Sequence, residues 1–439
     1  MRKGRVYSLN KIVSIITLGC KVNFSDSEQM AGALTGRGYS VVFDHTAADL
    51  SIVNTCTVTA RADYQSRQAV RRAARIAPES PVIVTGCAAS LFPDRIRDAA
   101  SSSVVVPPSE RDTIGEIVRS LIGPPNDFGA VPSPAARTRA FLKIQEGCNA
   151  GCAYCLVPQA RGHERSVPAP QVISTLLHLV ERGYNEIVLV GIHLGRYGSD
   201  ITGEPNSLAG LLRLVESLDI PARIRLSSIE PMELTDDLLA VIAESRLVVP
   251  HLHIPLQSGD DSVLSSMGRP YRRSDFVRIV EGAATRLGDP GVGLDVMVGF
   301  PGEGDREFNN TLEVVRSLPV SYLHVFPFSR RPKTRAYSLD GQVPADIKRE
   351  RARIARELGI EKKADYVARC MGKTVNVLVE GHNDGLAWGK SESYLDIYFP
   401  GGRGDVNRFV SVTLQRSFRN GAYGYQSIRS REEDRVSIS

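Results

Sequence analysis

The sequence predicts an α/β protein in three parts: an N-terminal open parallel α/β sheet, a central partial (β/α)6 barrel and a small all-β, OB-like barrel at the C-terminus. Three observations point there. Short apolar runs alternate with helical patterns up to residue 370, as βαβ units and parallel sheets require. Beyond residue 372 the pattern turns to period-two alternation broken by Gly-rich turns, which suits a small barrel. Hydrophobic residues are 42% of the 439 and charged residues 23%, so roughly three packed cores are supported and wholesale disorder is excluded.

The first unit covers residues 8–122. Its strands are expected at 12–18, 50–53 and 81–84, with a helix opened by Ser25-Asp26-Ser27-Glu28 and another over 60–77. A Pro- and Gly-rich linker follows at 123–138, with Pro124, Pro125, Pro132 and Pro134. The second unit, 139–369, carries candidate strands at 141–144, 186–190, 224–226, 251–256, 293–298 and 322–326. Six parallel strands over this span suit a partial barrel better than an eight-stranded one, which usually takes about 250 residues. Residues 345–370 read as a charged helix. The third unit, 370–435, has alternating runs at 374–380, 394–399 and 409–414 and ends in a polar tail.

Lys plus Arg is 54 against 49 for Asp plus Glu, a net +5. That is too mild to establish a nucleic-acid partner, so the placement of charge has to decide. No apolar run approaches a membrane span. The first twenty residues lack a signal-peptide cleavage pattern and read as leading into a buried strand. The expectation is a soluble cytoplasmic protein with no membrane partner. The seven cysteines are Cys20, Cys56, Cys87, Cys148, Cys152, Cys155 and Cys370. Their odd number in a large chain without a secretion signal argues against a disulfide framework.

Six of the seven form two sets of three. Cys20, Cys56 and Cys87 each stand just past a predicted strand, in Thr17-Leu18-Gly19-Cys20, Asn54-Thr55-Cys56 and Thr85-Gly86-Cys87. Ligands of open α/β sheets bind outside the carboxyl ends of the strands, so these thiols are expected to converge on one sheet edge. Buried cysteine is common at strand ends, but three in equivalent positions are hard to obtain by accident. The second set, Cys148-x3-Cys152-x2-Cys155, follows the first strand of the second unit. Zinc sites normally need four ligands. Three thiolates in eight residues, with no fourth cysteine nearby, fit a [4Fe–4S] cluster with one open iron. Cys370, alone at a helix end, reads as an ordinary buried thiol.

The Cys148–Cys155 motif resembles that of the radical S-adenosylmethionine superfamily. Thr17 to Asn23, Val53 to Thr59, Thr85-Gly86-Cys87 and Gly147 to Gly162 narrow the resemblance to the methylthiotransferases, from about Lys11 to Tyr425. The resemblance implies an auxiliary [4Fe–4S] cluster on Cys20, Cys56 and Cys87, a radical cluster on Cys148, Cys152 and Cys155, and a C-terminal RNA-binding TRAM barrel. It further implies S-adenosylmethionine as methyl donor and radical source, tRNA (the anticodon stem-loop) as partner rather than DNA, and an electron donor such as flavodoxin or ferredoxin. Both clusters should lie in one shielded chamber. Gly191-Ile192-His193-Leu194-Gly195-Arg196-Tyr197-Gly198 and Leu18 to Asn23 look most like the branch that methylthiolates C2 of N6-threonylcarbamoyladenosine at tRNA position 37. Phe24 departs from that branch, which usually has Gln there. The alternatives are methylthiolation of N6-isopentenyladenosine 37 and a non-catalytic iron–sulfur RNA-binding protein.

The resemblance implies cofactor contacts at Tyr154, at Gln257 and Ser258, and at Asp295 and Phe300 near Gly299-Phe300-Pro301-Gly302-Glu303; no side chain is singled out as a catalytic acid or base. As bare patterns these are turns after strands. Arg67, Arg71 and Arg75, with Arg72 beside them, give one helix a basic face, either solvated or phosphate-binding. Ser329 to Arg335 is expected at the barrel mouth, facing RNA. Tyr394, Tyr398 and Phe399 are stacking candidates or core. His251 and His253 share a strand face, but no carboxylate-plus-His set is evident elsewhere except around His193 and His324, so a mononuclear metal site is not favoured.

Overall fold

In the computed structural model, which describes residues 11–125 and 138–427, the first unit is a parallel five-stranded sheet in the order β2-β1-β3-β4-β5. Its strands are β1 (Ile12–Thr17), β2 (Ser40–Val42), β3 (Leu50–Thr55), β4 (Val82–Gly86) and β5 (Val104–Val105). β3 and β4 are buried at every position, which explains their near-continuous apolar runs. Helices pack on both faces. Met30, Leu34, Ile114 and Val118 cover one; Ala69, Val70 and Ala73 cover the other. β2 and β5 escaped the sequence because strands of two or three residues leave no periodicity to read.

One helix starts earlier than expected. It runs Lys21–Thr35, directly from Cys20, not from Ser25. Ser25, Asp26 and Ser27 look like capping residues but are fully buried in the second turn. Ser25 Oγ donates to the Phe141 carbonyl at 2.9 Å, and Thr17 Oγ1 donates to Ser27 Oγ at 2.7 Å. Tertiary partners, not the helix end, use these side chains.

The second unit has six parallel strands: β6 (Arg139–Glu146), β8 (Glu186–Gly191), β9 (Arg223–Leu226), β10 (His251–Gln257), β11 (Gly291–Val298) and β12 (Tyr322–Pro327). A parallel bridge from Ser228 to His253 joins the two halves. A short strand, β7 (Arg165–Ser166), pairs antiparallel with β6. Residues on the outer faces, such as Leu142, Ile187, Leu189, Ile224 and Leu294, build one core with the surrounding helices. The inner faces point into a lumen. The expected charged helix is Ala345–Cys370, packed along β12, where Gly359 allows Leu323 to approach closely.

The last unit is a closed barrel, β13 (Thr374–Asn383), β14 (Leu386–Lys390), β15 (Asp396–Pro400), β17 (Gly421–Gln426) and β16 (Phe409–Phe418) in spatial order. β14 contains an internal glycine, Gly389, which reads as a turn in the sequence. Cys370 is buried in this barrel's core with Tyr366, Val377 and Phe399. The expected linker at 123–138 lies largely outside the described residues, as do residues 8–10 of the first unit, 428–435 of the third, and most of the polar tail.

Candidate active site

Strand order brings the early cysteines together. β1, β3 and β4 are neighbours, their register aligns Thr17 with Asn54 and Thr55 with Gly86, and Cys20, Cys56 and Cys87 follow at one edge. Gly19 has φ +104°, and a Cβ there would lie 2.7 Å from Cys56 Cβ and 2.9 Å from its Sγ. Only glycine lets the Cys20 turn close on Cys56. Polar side chains lock these turns. Asn23 Nδ2 donates to the carbonyls of Leu18 at 2.6 Å and Thr55 at 3.0 Å, and Asn54 Nδ2 donates to the Asn23 carbonyl at 2.8 Å. The Cys56 amide donates to Ser66 Oγ at 3.0 Å. Burial pushes the Cys56 thiol up to about 12, with Cys87 and Cys20 beside it adding to the effect.

The later cysteines share one loop after β6. Gly147 has φ +73°, and any Cβ there would strike the His163 carbonyl. The Cys148 amide donates to the Gly162 carbonyl at 3.1 Å. Ala153 is pinned on both sides, its amide donating to Met267 and its carbonyl accepting from Ala336, each at 2.8 Å. Donors aim at the sulfurs: Ala150 N at Cys148 (3.3 Å), Val157 N at Cys155 (3.4 Å) and Arg269 at Cys152 (3.3 Å). Burial pushes the Cys155 thiol up to about 12, with Cys152 and Cys148 adding to it.

Arg161 joins the two sets. It follows the later loop, and its Nε donates to Cys87 Sγ at 3.4 Å. Its other nitrogens bond Glu146, Asn23 and, at 3.1 Å, Asp26. Asp26, fully buried, also pairs with Arg111 and Lys143. Cys87 packs with Ala160 and with Leu156, the neighbour of Cys155 in the chain. Burial alone would raise the Glu146 carboxyl, but Arg161 and Lys143 hold it down to about 2. Cys56 and Cys87 are buried, Cys148, Cys152 and Cys155 half-buried and Cys20 exposed.

This donor set fits iron–sulfur clusters. Each site offers three soft sulfurs and N–H groups aimed at sulfur, the outer-sphere pattern that tunes such centres. Among the described residues no further cysteine joins either triad.

The other candidate residues divide. Tyr154 lies on the later loop, edge-on to Phe300 with ring centroids 6.4 Å apart. Phe300 itself is fully buried against Phe328 and supports that ring. Gln257 ends β10 with φ +60°, rare for a residue with a side chain. Ser258 is fully buried, its Oγ 3.3 Å from Thr311 Oγ1 and accepting from the Asp260 amide. Asp295 lies lower, in the lumen, 2.8 Å from His253 Nε2 and 3.4 Å from His324 Nδ1. It is the carboxylate that the sequence did not pair with these histidines. Burial would raise its carboxyl, but the two imidazoles hold it well below the usual range. His251 and His253 both bond the Tyr322 hydroxyl, at 2.9 and 3.1 Å.

Sequence reasoning missed several groups at the rim. His193 Nε2 is 2.6 Å from Glu233, and its Nδ1 lies 3.6 Å from Cys148 Sγ and 3.2 Å from Glu164. The stretch from Gly191 to Gly198 was the available signal for His193. For Arg269, held by Glu230 and Tyr271, no local pattern exists.

The basic segment after β12 is used partly for internal contacts, with Arg331 buried and Arg330, Lys333 and Arg335 exposed. Arg331 bonds Thr57 and lies 3.6 Å from Asp63, Lys333 donates to the Leu91 carbonyl at 3.0 Å, and Arg335 bonds the Gly151 carbonyl. It staples the first unit to the second. Tyr394, with φ +69°, enters the bottom of the central barrel, its ring 4.9 Å from His251 and under Arg225 and Arg139. Phe399 is barrel core. Tyr398 is the surface member, grouped with Phe418, Tyr423, Tyr425, Arg416 and Arg419. Arg71 and Arg75 line a shallow depression with Gln68, Ser101 and Ser102.

Comparison with known proteins adds relatives. A model described as Uncharacterized protein family UPF0004 matches residues 12–106, and that of the Radical SAM superfamily matches residues 142–315. The chain is 36% identical over 414 residues to a threonylcarbamoyladenosine tRNA methylthiotransferase MtaB of Chlamydia pneumoniae, covering 93% of this chain and 97% of that one. It is 31% identical to a tRNA-2-methylthio-N(6)-dimethylallyladenosine synthase of Cronobacter sakazakii, covering 97% and 94%. In fold it resembles the radical S-adenosylmethionine methyltransferase TsrM of Kitasatospora setae, solved with cobalamin and a [4Fe-4S] cluster, with TM-score 0.56, 14% identity and coverage of 86% and 80%.

Proposed function

Because the chain belongs to the tRNA methylthiotransferases of the radical S-adenosylmethionine superfamily, we propose that it methylthiolates C2 of N6-threonylcarbamoyladenosine at tRNA position 37. The enzyme uses S-adenosylmethionine and two [4Fe–4S] clusters. In this reading Cys148, Cys152 and Cys155 hold the cluster that engages S-adenosylmethionine, and Cys20, Cys56 and Cys87 hold the auxiliary cluster. When bound, these groups supply an electron, a hydrogen-abstracting radical and the methylthio group. Its main support is the juxtaposition of the triads through Arg161, whose guanidinium reaches Cys87 from the loop of the other set.

The protein's own residues then do three things. Arg161 and Arg269 direct N–H donors at Cys87 and Cys152, offsetting thiolate charge and fixing sulfur position. Tyr154 and Gln257 border the later loop as cofactor contacts, Ser258 and Phe300 support them from below, and Asp295 stays ionised in the lumen. The basic depression at Arg71 and Arg75 and the aromatic face around Tyr398 suit phosphates and unstacked bases of an anticodon stem-loop. No described helix is long and apolar enough to cross a membrane. The proposed reading includes a cytoplasmic enzyme served by a flavodoxin- or ferredoxin-type electron donor.

Mass spectrometry of tRNA nucleosides from a strain lacking this gene tests the reading. Loss of 2-methylthio-N6-threonylcarbamoyladenosine is expected; its persistence would refute the substrate. Reduction of the reconstituted protein with S-adenosylmethionine should release 5′-deoxyadenosine, which a non-catalytic RNA-binding protein does not do.

A further inference from the structure

Among the described strands β12 pairs only with β11, so it is the edge of the open central barrel. Leu323 and Val325 pack outward on the core, so Tyr322, His324 and Phe326 face the lumen. The His324 side chain is 52% exposed there and Phe326 is 44% exposed. Register sets two layers on this wall. Phe326 lies opposite Met297, and His324 opposite Asp295. Met297 packs against the group of Ala153, Tyr154 and Phe300 at the later cysteine loop. The chain beyond β12 is tied to the helix that follows the Cys56 turn, the Ala60 amide donating to Ser329 Oγ at 2.9 Å. The Phe326 layer thus borders both cysteine sites, and the His324 layer lies about 7 Å deeper.

His324 is held but not used up. Its Nδ1 is 3.4 Å from Asp295 Oδ1, and its ring packs on those of His253 and Tyr322, with centroids 5.0 and 5.3 Å away. Asp295 already has His253 Nε2 at 2.8 Å, and His253 is backed by the Tyr322 hydroxyl. Among the described residues none bonds His324 Nε2. With Nδ1–H directed at the carboxylate, Nε2 accepts from a hydroxyl when the ring is neutral and donates to a carboxylate when it is protonated.

We propose that His324 is a specificity-determining contact, its Nε2 meeting the polar end, hydroxyl and carboxylate, of the threonylcarbamoyl group on N6 of the target adenosine. This rests on the substrate reading above and deepens it. C2 and the carbon that bears N6 flank N1 of adenine. A base that brings C2 to the upper layer, beside the cysteine sites, therefore carries its N6 group inside the lumen, where the His324 layer begins. Phe326 offers that base an aromatic face. An N6-isopentenyl group has neither donor nor acceptor. It would cover His324 with hydrocarbon and leave Nε2 without a partner, which is how a polar site rejects an apolar analogue.

The test uses the full-length, anaerobically reconstituted enzyme and three anticodon stem-loops, carrying threonylcarbamoyladenosine, isopentenyladenosine or unmodified adenosine at position 37. Affinities are read by fluorescence anisotropy and products by mass spectrometry. The wild type should bind the threonylcarbamoyl stem-loop roughly thirtyfold more tightly than the unmodified one, as a hydrogen bond to a charged group implies. His324→Phe should erase that difference by weakening only the threonylcarbamoyl stem-loop, with about eight irons per chain retained. His324→Gln should restore part of it. Equal wild-type affinities would overturn the proposal without any variant. An unchanged difference in His324→Phe would overturn it, and so would an equal weakening of both stem-loops, which marks a structural role. A wild type that methylthiolates only the isopentenyl stem-loop would overthrow the substrate reading and the proposal with it. That result is read from products, whereas failure of the His324 contact alone leaves the threonylcarbamoyl product in place.

Discussion

The two cysteine triads are assembled by opposite routes. Cys148, Cys152 and Cys155 sit on a single loop after β6, so local chain geometry gathers them. Cys20, Cys56 and Cys87 come from three turns that meet only because β1, β3 and β4 are adjacent. One site is written in eight consecutive residues; the other exists only when a sheet does. The early triad should therefore be the more sensitive to damage in the fold. Each set follows one tightly held glycine, Gly19 against Cys56 and Gly147 against the His163 carbonyl, whereas a Cβ on Gly151, inside the later loop, would meet nothing within 4 Å.

The largest expected effect comes from cutting the link between them. Arg161→Leu removes a buried cation from Asp26 and Glu146 and the donor to Cys87. It should cost about 3 kcal/mol and lower iron toward about four per chain, read by thermal unfolding and iron analysis. Loss of all iron would mean that the later loop also depends on this residue. Next, Gly19→Ala should cost roughly 2 kcal/mol through its positive φ and the clash with Cys56. Iron retained at Cys148, Cys152 and Cys155, with the early site empty by cluster spectroscopy, would sharpen the contrast.

Acid gives a smaller effect that should ignore the triads. Burial alone would raise the Glu186 carboxyl, but Arg225, Arg223 and Arg139 hold it down to about 2. Arg223 and Arg225 also donate to the carbonyls of Lys390, Ser391 and Glu392, docking the C-terminal barrel under the central one. A depressed carboxyl stabilises above its unfolded value, and that stability fades as pH falls through the window down to about 2. Between pH 6 and pH 3.5 it should remove about 1 kcal/mol. Cluster-free protein with either triad changed to Ala should show the same loss by thermal unfolding. Smallest of all, Gly151→Ala should shift stability by less than about 0.5 kcal/mol. A large loss of iron there would break the proposed asymmetry.

Much of this was legible in the chain. The alternation of apolar runs and helices located all six strands of the central barrel within a few residues, because a parallel strand buried on both faces leaves a local imprint. Thiols at strand ends pointed to the early site for the same reason. Short edge strands and glycine-bearing β14 and β17 left no such imprint. Ser25, Asp26 and Ser27 misled because their hydrogen-bond partners, such as Phe141, lie far along the chain.

What the sequence determined by itself was which groups exist and which share a local element: the strands, the spacing of the later cysteines, the turns that need glycine. Tertiary structure decided where charge and aromatic rings are used. It spent Arg331 inside the protein, drove Tyr394 into the barrel and set Arg161 between the triads. The physical reason is range. Backbone preference and periodicity act over a few residues, whereas an ion pair is made with whatever group the fold brings near, as when Arg161 meets Asp26 across 135 positions.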